Sequence, residues 1–301
     1  MSNATTAAPA QPIAKQNSNK DIKGSGNNPI GKIILYVILI AFTCVFLGPI
    51  LFIFLNSFKA TSDIYNLPFS LPLGSVFYGT ANYMKGVDTV NFFSAITWSF
   101  VITITAVFII VMLCAMTAYY ITRVKSWWTS VLYYMFVFSM VIPFQMVMFP
   151  TSNMASLLHL NNPQGLVVLY LGFGAGLSVF MFAGFVKSIP IDIEEAATID
   201  GCNPVQTYFR VVLPMLKPTA ITVAILNTMW VWNDFLLPYL ILSDENKTIP
   251  MAIYALQGSY GNKDMGALMA MLVLAIIPII IFYIFMQKYI IEGVAAGAVK
   301  G

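Results

Sequence analysis

Apolar residues in this chain gather into long blocks with few charges, and polar residues fall mostly between them. Candidate blocks run from about Ile33 to Leu55, Phe93 to Ile121, Trp127 to Phe149, Leu166 to Val186, Thr219 to Leu242 and Gly266 to Met286. Each reaches roughly the 20 residues that cross a hydrocarbon core as a helix, so the pattern predicts six crossings. The second block is long enough to tilt or protrude. Pro143 and Pro278 remove backbone donors inside the third and sixth blocks and free the carbonyls of Ser139 and Leu274, so kinks are expected there. Gly172 and Gly176 form a small-xxx-small pair, with Gly174 and Gly184 nearby, and suit close helix packing.

One polar island breaks the pattern between Pro190 and Pro218, and it carries its own helix signals. Pro190 suits a first helical position, Asp192, Glu194 and Glu195 place carboxylates in the first turn, and Gly201 suits a stop. Asn203 then caps a second helix, with Pro204 at its first position and Gln206 completing a capping box. An apolar stripe follows at Val205, Tyr208, Phe209 and Val212, before Pro214 and Pro218 end the helix. The expectation is two short amphipathic helices around a glycine bend.

Composition agrees with a bilayer: 59% of residues are hydrophobic and 9% charged, against about 25% charged in an average soluble domain. The net charge of +3 is small and its cations dispersed, which argues against nucleic acid as a partner. The cations sort by side of the membrane. Lys15, Lys20, Lys23, Lys32, Arg123, Lys125, Lys187, Arg210, Lys217, Lys288 and Lys300 fall on one side; Lys59, Lys85, Lys247 and Lys263 fall on the other. By the positive-inside rule both termini and the polar island are cytoplasmic. Residues 1–29, poor in apolar side chains, read as a disordered cytoplasmic tail, residues 30–291 as the membrane domain with its cytoplasmic loop at 187–217, and residues 292–301 as a second cytoplasmic tail. The first apolar block is longer than a signal-peptide core and is expected to be retained. Cys44, Cys114 and Cys202 have no paired or zinc-like spacing and read as free thiols.

Within the island, Glu195-Ala196-Ala197 is followed after three residues by Gly201 and after nine more by Val211-Val212-Leu213-Pro214. This spacing resembles the EAA loop of permease subunits in bacterial binding-protein-dependent ABC importers, with Val211 in place of the usual Ile. Trp232-Asn233-Asp234-Phe235, Ile277-Pro278 and the ending Gly297-Ala298-Val299-Lys300-Gly301 are similar to the carbohydrate-uptake branch, maltose-type G subunit. The resemblance covers nearly the whole chain after the N-terminal tail. It implies an all-α integral membrane protein of the type I importer permease kind, with six transmembrane helices and a cytoplasmic helix-bend-helix coupling loop. It also implies a place in the bacterial cytoplasmic membrane, two copies of an ABC ATPase, a second permease subunit and an extracytoplasmic sugar-binding protein. No cofactor belongs to this chain on that reading, because ATP and magnesium are held by the ATPase subunits. The coupling residues would be Glu194, Glu195, Ala196, Ala197, Asp200, Gly201, Leu213 and Pro214, with Glu195 pairing at the ATPase contact.

Residues 26–32 fit the start of a phosphate-binding G-x-x-x-x-G-K loop, but Ile33 stands where the magnesium-binding hydroxyl belongs and no strand precedes it, so nucleotide binding is not expected. The sole histidine, His159, makes no metal site, and no set of groups suggests hydrolysis, so no catalytic or metal-binding residue is assigned and the chain is not expected to be an enzyme. Asp234 is the one acidic or basic residue well inside a block and must face protein or water. Pro238, four residues on, cannot donate to the Asp234 carbonyl, so a break is expected there. With Trp230, Trp232 and Asn233 it forms either a sugar-contacting or gating patch or, the preferred reading, a structural knot. A membrane-surface helix is disfavoured for the island because Asp192, Glu194, Glu195 and Asp200 would be repelled by anionic lipid, which leaves docking to a protein partner. The function expected is ATP-driven import of a sugar or oligosaccharide by alternating access. A stand-alone secondary transporter, or an ABC permease for amino acids or peptides, stays open at this stage.

Overall fold

The computed structural model describes residues 29–257 and 263–298, the stretch from 291 by its backbone alone. The N-terminal tail through 28, residues 26–28 of the phosphate-loop-like run and the final residues 299–301 lie outside the described residues. Every regular element among the described residues is helical. The chain divides into two compact units, one ending at Ile50 and the other beginning at Leu51.

Helix α1 spans Pro29–Asn56, so Gly31 and Lys32 are helical and form no phosphate-cradling loop. The segment that follows contains three short helical pieces: α2 (Thr61–Asn66), a 3-10 turn (Gly74–Val76) and α3 (Ala81–Thr89). Lys59 explains part of its order. Fully buried, its ammonium donates to the carbonyls of Leu67 and Pro68 at 3.0 and 3.2 Å. The Asn82 amide donates to the carbonyls of Ser57 and Lys59 at 2.8 Å each. These side chains satisfy main-chain acceptors that no helix serves.

Helix α4 (Phe92–Arg123) packs chiefly on α7 (Pro163–Val186). Between them, α5 (Trp127–Ser139) and α6 (Phe144–Leu157) diverge by 108°. The block from Trp127 to Phe149, expected to form one kinked crossing, therefore folds as two separate helices. Pro143 is extended, with φ −63° and ψ 134°, and a proline disfavours helical backbone in the residue before it, so the chain turns instead of bending. Helix α7 starts cleanly: Asn162 accepts from the Gly165 amide at 2.8 Å and Pro163 takes the first position.

The larger core runs through Ile110 and Cys114 of α4, Tyr170 and Phe182 of α7, and Val223 of α11 (Lys217–Asn233). Close approach is made at Gly174 and Gly176, not at the Gly172–Gly176 pair. A methyl on Gly174 would lie 2.9 Å from both Ile110 Cδ1 and Asn227 Oδ1; one on Gly176 would lie 2.8 Å from the Phe136 carbonyl oxygen. Nothing lies within 4 Å of such a methyl at Gly172 or Gly184. Beside Gly174, Asn227 donates to Ser178 Oγ at 3.1 Å, an interhelical bond of the kind that fastens helices in lipid.

Four helices are long and apolar enough to cross a membrane unbroken: α1, α4, α7 and α14 (Met265–Ala298). The count reaches six when two bent pairs are each taken as one span, α5 with α6, and Pro204–Met215 with α11 at 72°. The fifth block is interrupted at Asp234, between α11 and α12 (Leu236–Ile241). After α13 (Ile249–Ala255), α14 runs as one helix through Pro278 and past residue 291 to Ala298, into the stretch expected to be a tail. Phe92, Trp232, Ile253 and Met271 join in a second core cluster around α13 and α14.

Candidate functional site

The polar island folds as a helix, a glycine bend and a second helix. Helix α8 spans Ile191–Ile199, with Pro190 as its N-cap one position before the place its sequence suggested. Gly201 has φ +86°, a backbone conformation costly for residues with a Cβ. The capping box is present: Gln206 N–H donates to Asn203 Oδ1 at 2.9 Å, and Asn203 N–H donates to Gln206 Oε1 at 3.0 Å. The following helix ends at Met215, between its two prolines, and the chain bends there by 72°. It runs through α9 (Pro204–Thr207), a π turn (Tyr208–Val212) and α10 (Leu213–Met215), and Pro218 lies in the first turn of α11. Pro214 has no N–H for the Arg210 carbonyl, and the widened turn takes up that mismatch, with Leu213 N–H bonding to the Tyr208 carbonyl instead.

Glu194 is the anchor. Its carboxylate accepts from Tyr119 Oη at 2.8 Å and from Arg123 Nε at 2.8 Å, and Arg123 Nη2 lies 2.6 Å from Oε1. Arg123 Nη2 also donates to the Ile189 carbonyl at 2.9 Å. Tyr119 packs against Tyr208, ring centroids 5.3 Å apart. Thus the last turn of α4 holds both limbs of the island: α8 through Glu194, and the π turn through Tyr208. Glu194, one of the expected coupling-loop residues, is buried, and its carboxylate is bound inside the chain. The available signal was Arg123, a cation ending the second block on the same side as the island.

The remaining coupling residues divide by face. Ala197 is buried, Leu213 is half-buried, and Glu195, Ala196, Asp200, Gly201 and Pro214 are exposed. The expected stripe divides too: Tyr208 and Val212 point into the core, while Val205 and Phe209 face outward with Ile191 and Ile199. The outward surface therefore combines carboxylates with large apolar side chains.

At the break between α11 and α12, Asp234 accepts from Tyr170 Oη at 3.0 Å and from the Leu236 amide at 3.1 Å, capping the short helix that follows. The aromatic residues beside it do not form one patch. Trp230 meets Tyr170 edge-on at 5.3 Å, Trp232 is buried against Phe100 at 4.8 Å, and the Asn233 amide donates to the Met229 carbonyl at 2.6 Å.

Lys85 and Asp264 form a separate ion pair, with Nζ 2.5 Å from Oδ2. The bond to Asp264 raises the Lys85 pKa. Burial pushes the Asp264 carboxyl up, but the Lys85 ammonium and the Ala267 amide outweigh it and hold it below the usual carboxylate range.

Residues 110–295 match the family model described as binding-protein-dependent transport system inner membrane component. The chain is 36% identical over 272 residues, 90% of its length and 98% of the relative's, to the "Probable starch degradation products transport system permease protein AmyC" of Thermoanaerobacterium thermosulfurigenes. It is 35% identical over 271 residues, 88% of its length and 96% of the relative's, to the "Multiple sugar-binding transport system permease protein MsmG" of Streptococcus mutans. Among solved structures it is similar to a chain of a bacterial ABC transporter involved in the import of the acidic polysaccharide alginate, with a TM-score of 0.72, 25% identity, and 86% of this chain and 96% of that one covered.

Proposed function

Because this chain belongs to the binding-protein-dependent transport system inner membrane components, we propose that it is the membrane-spanning permease subunit of an ABC importer for a sugar or oligosaccharide. Both relatives named above carry a transport-permease description, one for starch degradation products and one for multiple sugars. The chain itself performs no covalent chemistry on this reading. Two partner ATPase subunits hold and hydrolyse ATP with magnesium, a second permease subunit completes the pathway, and an extracytoplasmic binding protein delivers the cargo. A solved complex of the alginate importer with a periplasmic protein bound to an alginate pentasaccharide resembles this chain in fold and supports that last assignment.

The observation that carries the reading is the division of the island. Glu194 ties α8 to Arg123 at the end of α4, while Glu195, Ala196, Asp200 and Gly201 are exposed on the same helix and bend. A motor gripping the outer face would pull on α4 through the inner one. For that to change the membrane helices, the ATPase must bind the island differently in the outward-open and inward-open states, because equal affinity for both shifts nothing. On this reading the island, both termini and the Arg123 end of α4 are cytoplasmic.

The test is uptake by the importer reconstituted in vesicles, with and without its ATPase subunits. Saccharide uptake that requires ATP, together with labelling of a cysteine at position 195 from the cytoplasmic side only, is the expected result. Full-speed uptake without the ATPase, or labelling from the exterior, overturns the proposal.

A further inference from the structure

Two cavities lie beyond the break at Asp234. They stand near the end of α4 opposite the island, where Ile249 N–H donates to Ser99 Oγ at 2.8 Å. The first, about 450 Å³, is lined by Tyr239, Asp244, Lys247, Tyr254 and Gln257, with Lys263 at its edge. The second, about 310 Å³, is lined by Trp232, Asn233, Phe235, Tyr254 and Gln257 together with apolar residues of α13 and α14. Tyr254 and Gln257 line both and so form the wall between them.

The chemistry of this wall is that of saccharide binding. Phe235, Tyr239 and Tyr254 form an aromatic triangle, with Tyr254 centred 4.6 Å from Phe235 and 5.9 Å from Tyr239. Tyr239 and Tyr254 are half exposed, so ring surface faces the cavity. Among the described residues, neither phenol hydroxyl nor the Gln257 carboxamide has a side-chain or carbonyl partner. A sugar ring offers apolar C–H faces to such aromatics and hydroxyls to such polar groups. Asp244 pairs with Lys247 at 3.0 Å, which leaves part of the rim charge neutralised. Both volumes fall at the low end of small-molecule sites, roughly 300–1,000 Å³. The larger apolar cavity between α4, α11 and α14, lined by residues such as Phe100, Ile104, Phe108 and Met229, offers few hydroxyl partners and does not suit a sugar.

Resting on the sugar-permease reading, we infer that the cavity bounded by Tyr239, Tyr254 and Gln257 is a saccharide subsite, and that Tyr254 and Gln257 form the threshold a sugar ring crosses to reach Trp232 and Asn233. The aromatic rings stack on the glycosyl unit, and the Gln257 amide exchanges hydrogen bonds with its hydroxyls as the ring passes.

The test measures initial uptake of maltose, maltotriose, raffinose and diacetylchitobiose by the complete importer carrying Tyr254→Ala, Tyr254→Phe or Gln257→Ala, at equal amounts of membrane-inserted chain. Uptake of the best transported saccharide should fall about three- to tenfold below saturation in both alanine variants, the size of one lost hydrogen bond or ring contact. The ratio between short and long saccharides should also change. Tyr254→Phe, which keeps the ring face and loses only the phenol hydroxyl, should fall less than Tyr254→Ala. Unchanged uptake in both alanine variants, or an equal fall for every saccharide with the ratios preserved, overturns the subsite; the second outcome is that of impaired binding-protein docking. If Tyr254→Ala fails to insert, Gln257→Ala decides by the same criteria. A parent importer that moves amino acids or peptides and none of these saccharides instead overturns the sugar-permease reading on which the subsite rests.

Discussion

Arg123 and Glu194 join the end of α4 to the first turns of α8: Nε donates to Oε1 at 2.8 Å, and Nη2 approaches the same oxygen at 2.6 Å. The pair retains only a little solvent access, with side-chain exposures of 17% and 11%. Removing one partner strands the other, so Arg123→Ala or Glu194→Gln should lower thermal stability. The loss should not exceed the ~3 kcal/mol found when a fully buried pair is broken. The neighbouring Glu195→Gln should leave stability within about 0.5 kcal/mol, as expected of an exposed site, and impair ATP-coupled uptake instead. Thermal unfolding of each purified variant, set beside its uptake, checks the contrast; equal stability losses at 194 and 195 would contradict it.

Gly201→Val places a β-branched residue at φ +86°. The left-handed backbone costs such a residue roughly 1–2 kcal/mol, and nothing lies within 4 Å of the added Cβ, so the penalty is one of backbone conformation and not of crowding. Membrane insertion should be normal and coupled uptake strongly reduced, read as ATP hydrolysed per sugar moved. Normal coupling in a well-inserted variant would count against a lever role for the island.

Gly176→Ala and Gly172→Ala should separate packing from composition. The methyl at 176 meets the Phe136 carbonyl at 2.8 Å, a backbone atom that cannot swing aside, while the methyl at 172 meets nothing within 4 Å. Overpacking costs typically about 1–3 kcal/mol. The purified 176 variant should therefore melt earlier, and the 172 variant should match the parent.

Asp234→Asn keeps one acceptor for Tyr170 or the Leu236 amide and loses the charge that both bonds serve. Folded yield should fall more than saccharide preference changes. A variant expressed at the normal level with a new preference would move Asp234 from anchoring the helix break to selecting cargo.

The Lys85–Asp264 pair sets a pH window for the start of α14. The Asp264 carboxyl is held below its usual range, so its contribution is present above the unfolded carboxylate pKa of about 3.9 and is lost as pH falls through the folded value. Lys85 is raised, so its contribution is full below the unfolded value of about 10.4 and is lost as pH rises through the folded one. Lys85 is 68% exposed, which limits the pair to under about 1 kcal/mol. Hydrogen exchange in the first turn of α14, corrected for intrinsic rates, should be flat between these limits; a step between pH 6 and 8 would point to another group.

Much was legible in the sequence because it follows from local chemistry. Block length made the membrane helices readable, Asn203, Pro204 and Gln206 determined a capped helix start, Gly201 determined a left-handed bend, and Pro238 marked the break at Asp234. Each of these depends on hydrogen bonds or dihedral angles within a few residues. What only the tertiary structure decided depends on groups far apart in the chain. Glu194 and Glu195 are indistinguishable as adjacent acids until α4 brings Arg123 and Tyr119 to one of them, and Gly172 and Gly174 differ only in whether Ile110 and Asn227 lie opposite. Pro143 could kink a span or break it, and the chain turned by 108° because α5 and α6 could then each pack elsewhere. Tyr254 and Gln257 come to line two cavities only when α13 packs against α12 on one side and α14 on the other, since spacing along a chain carries no record of which side chains will face one another across a space.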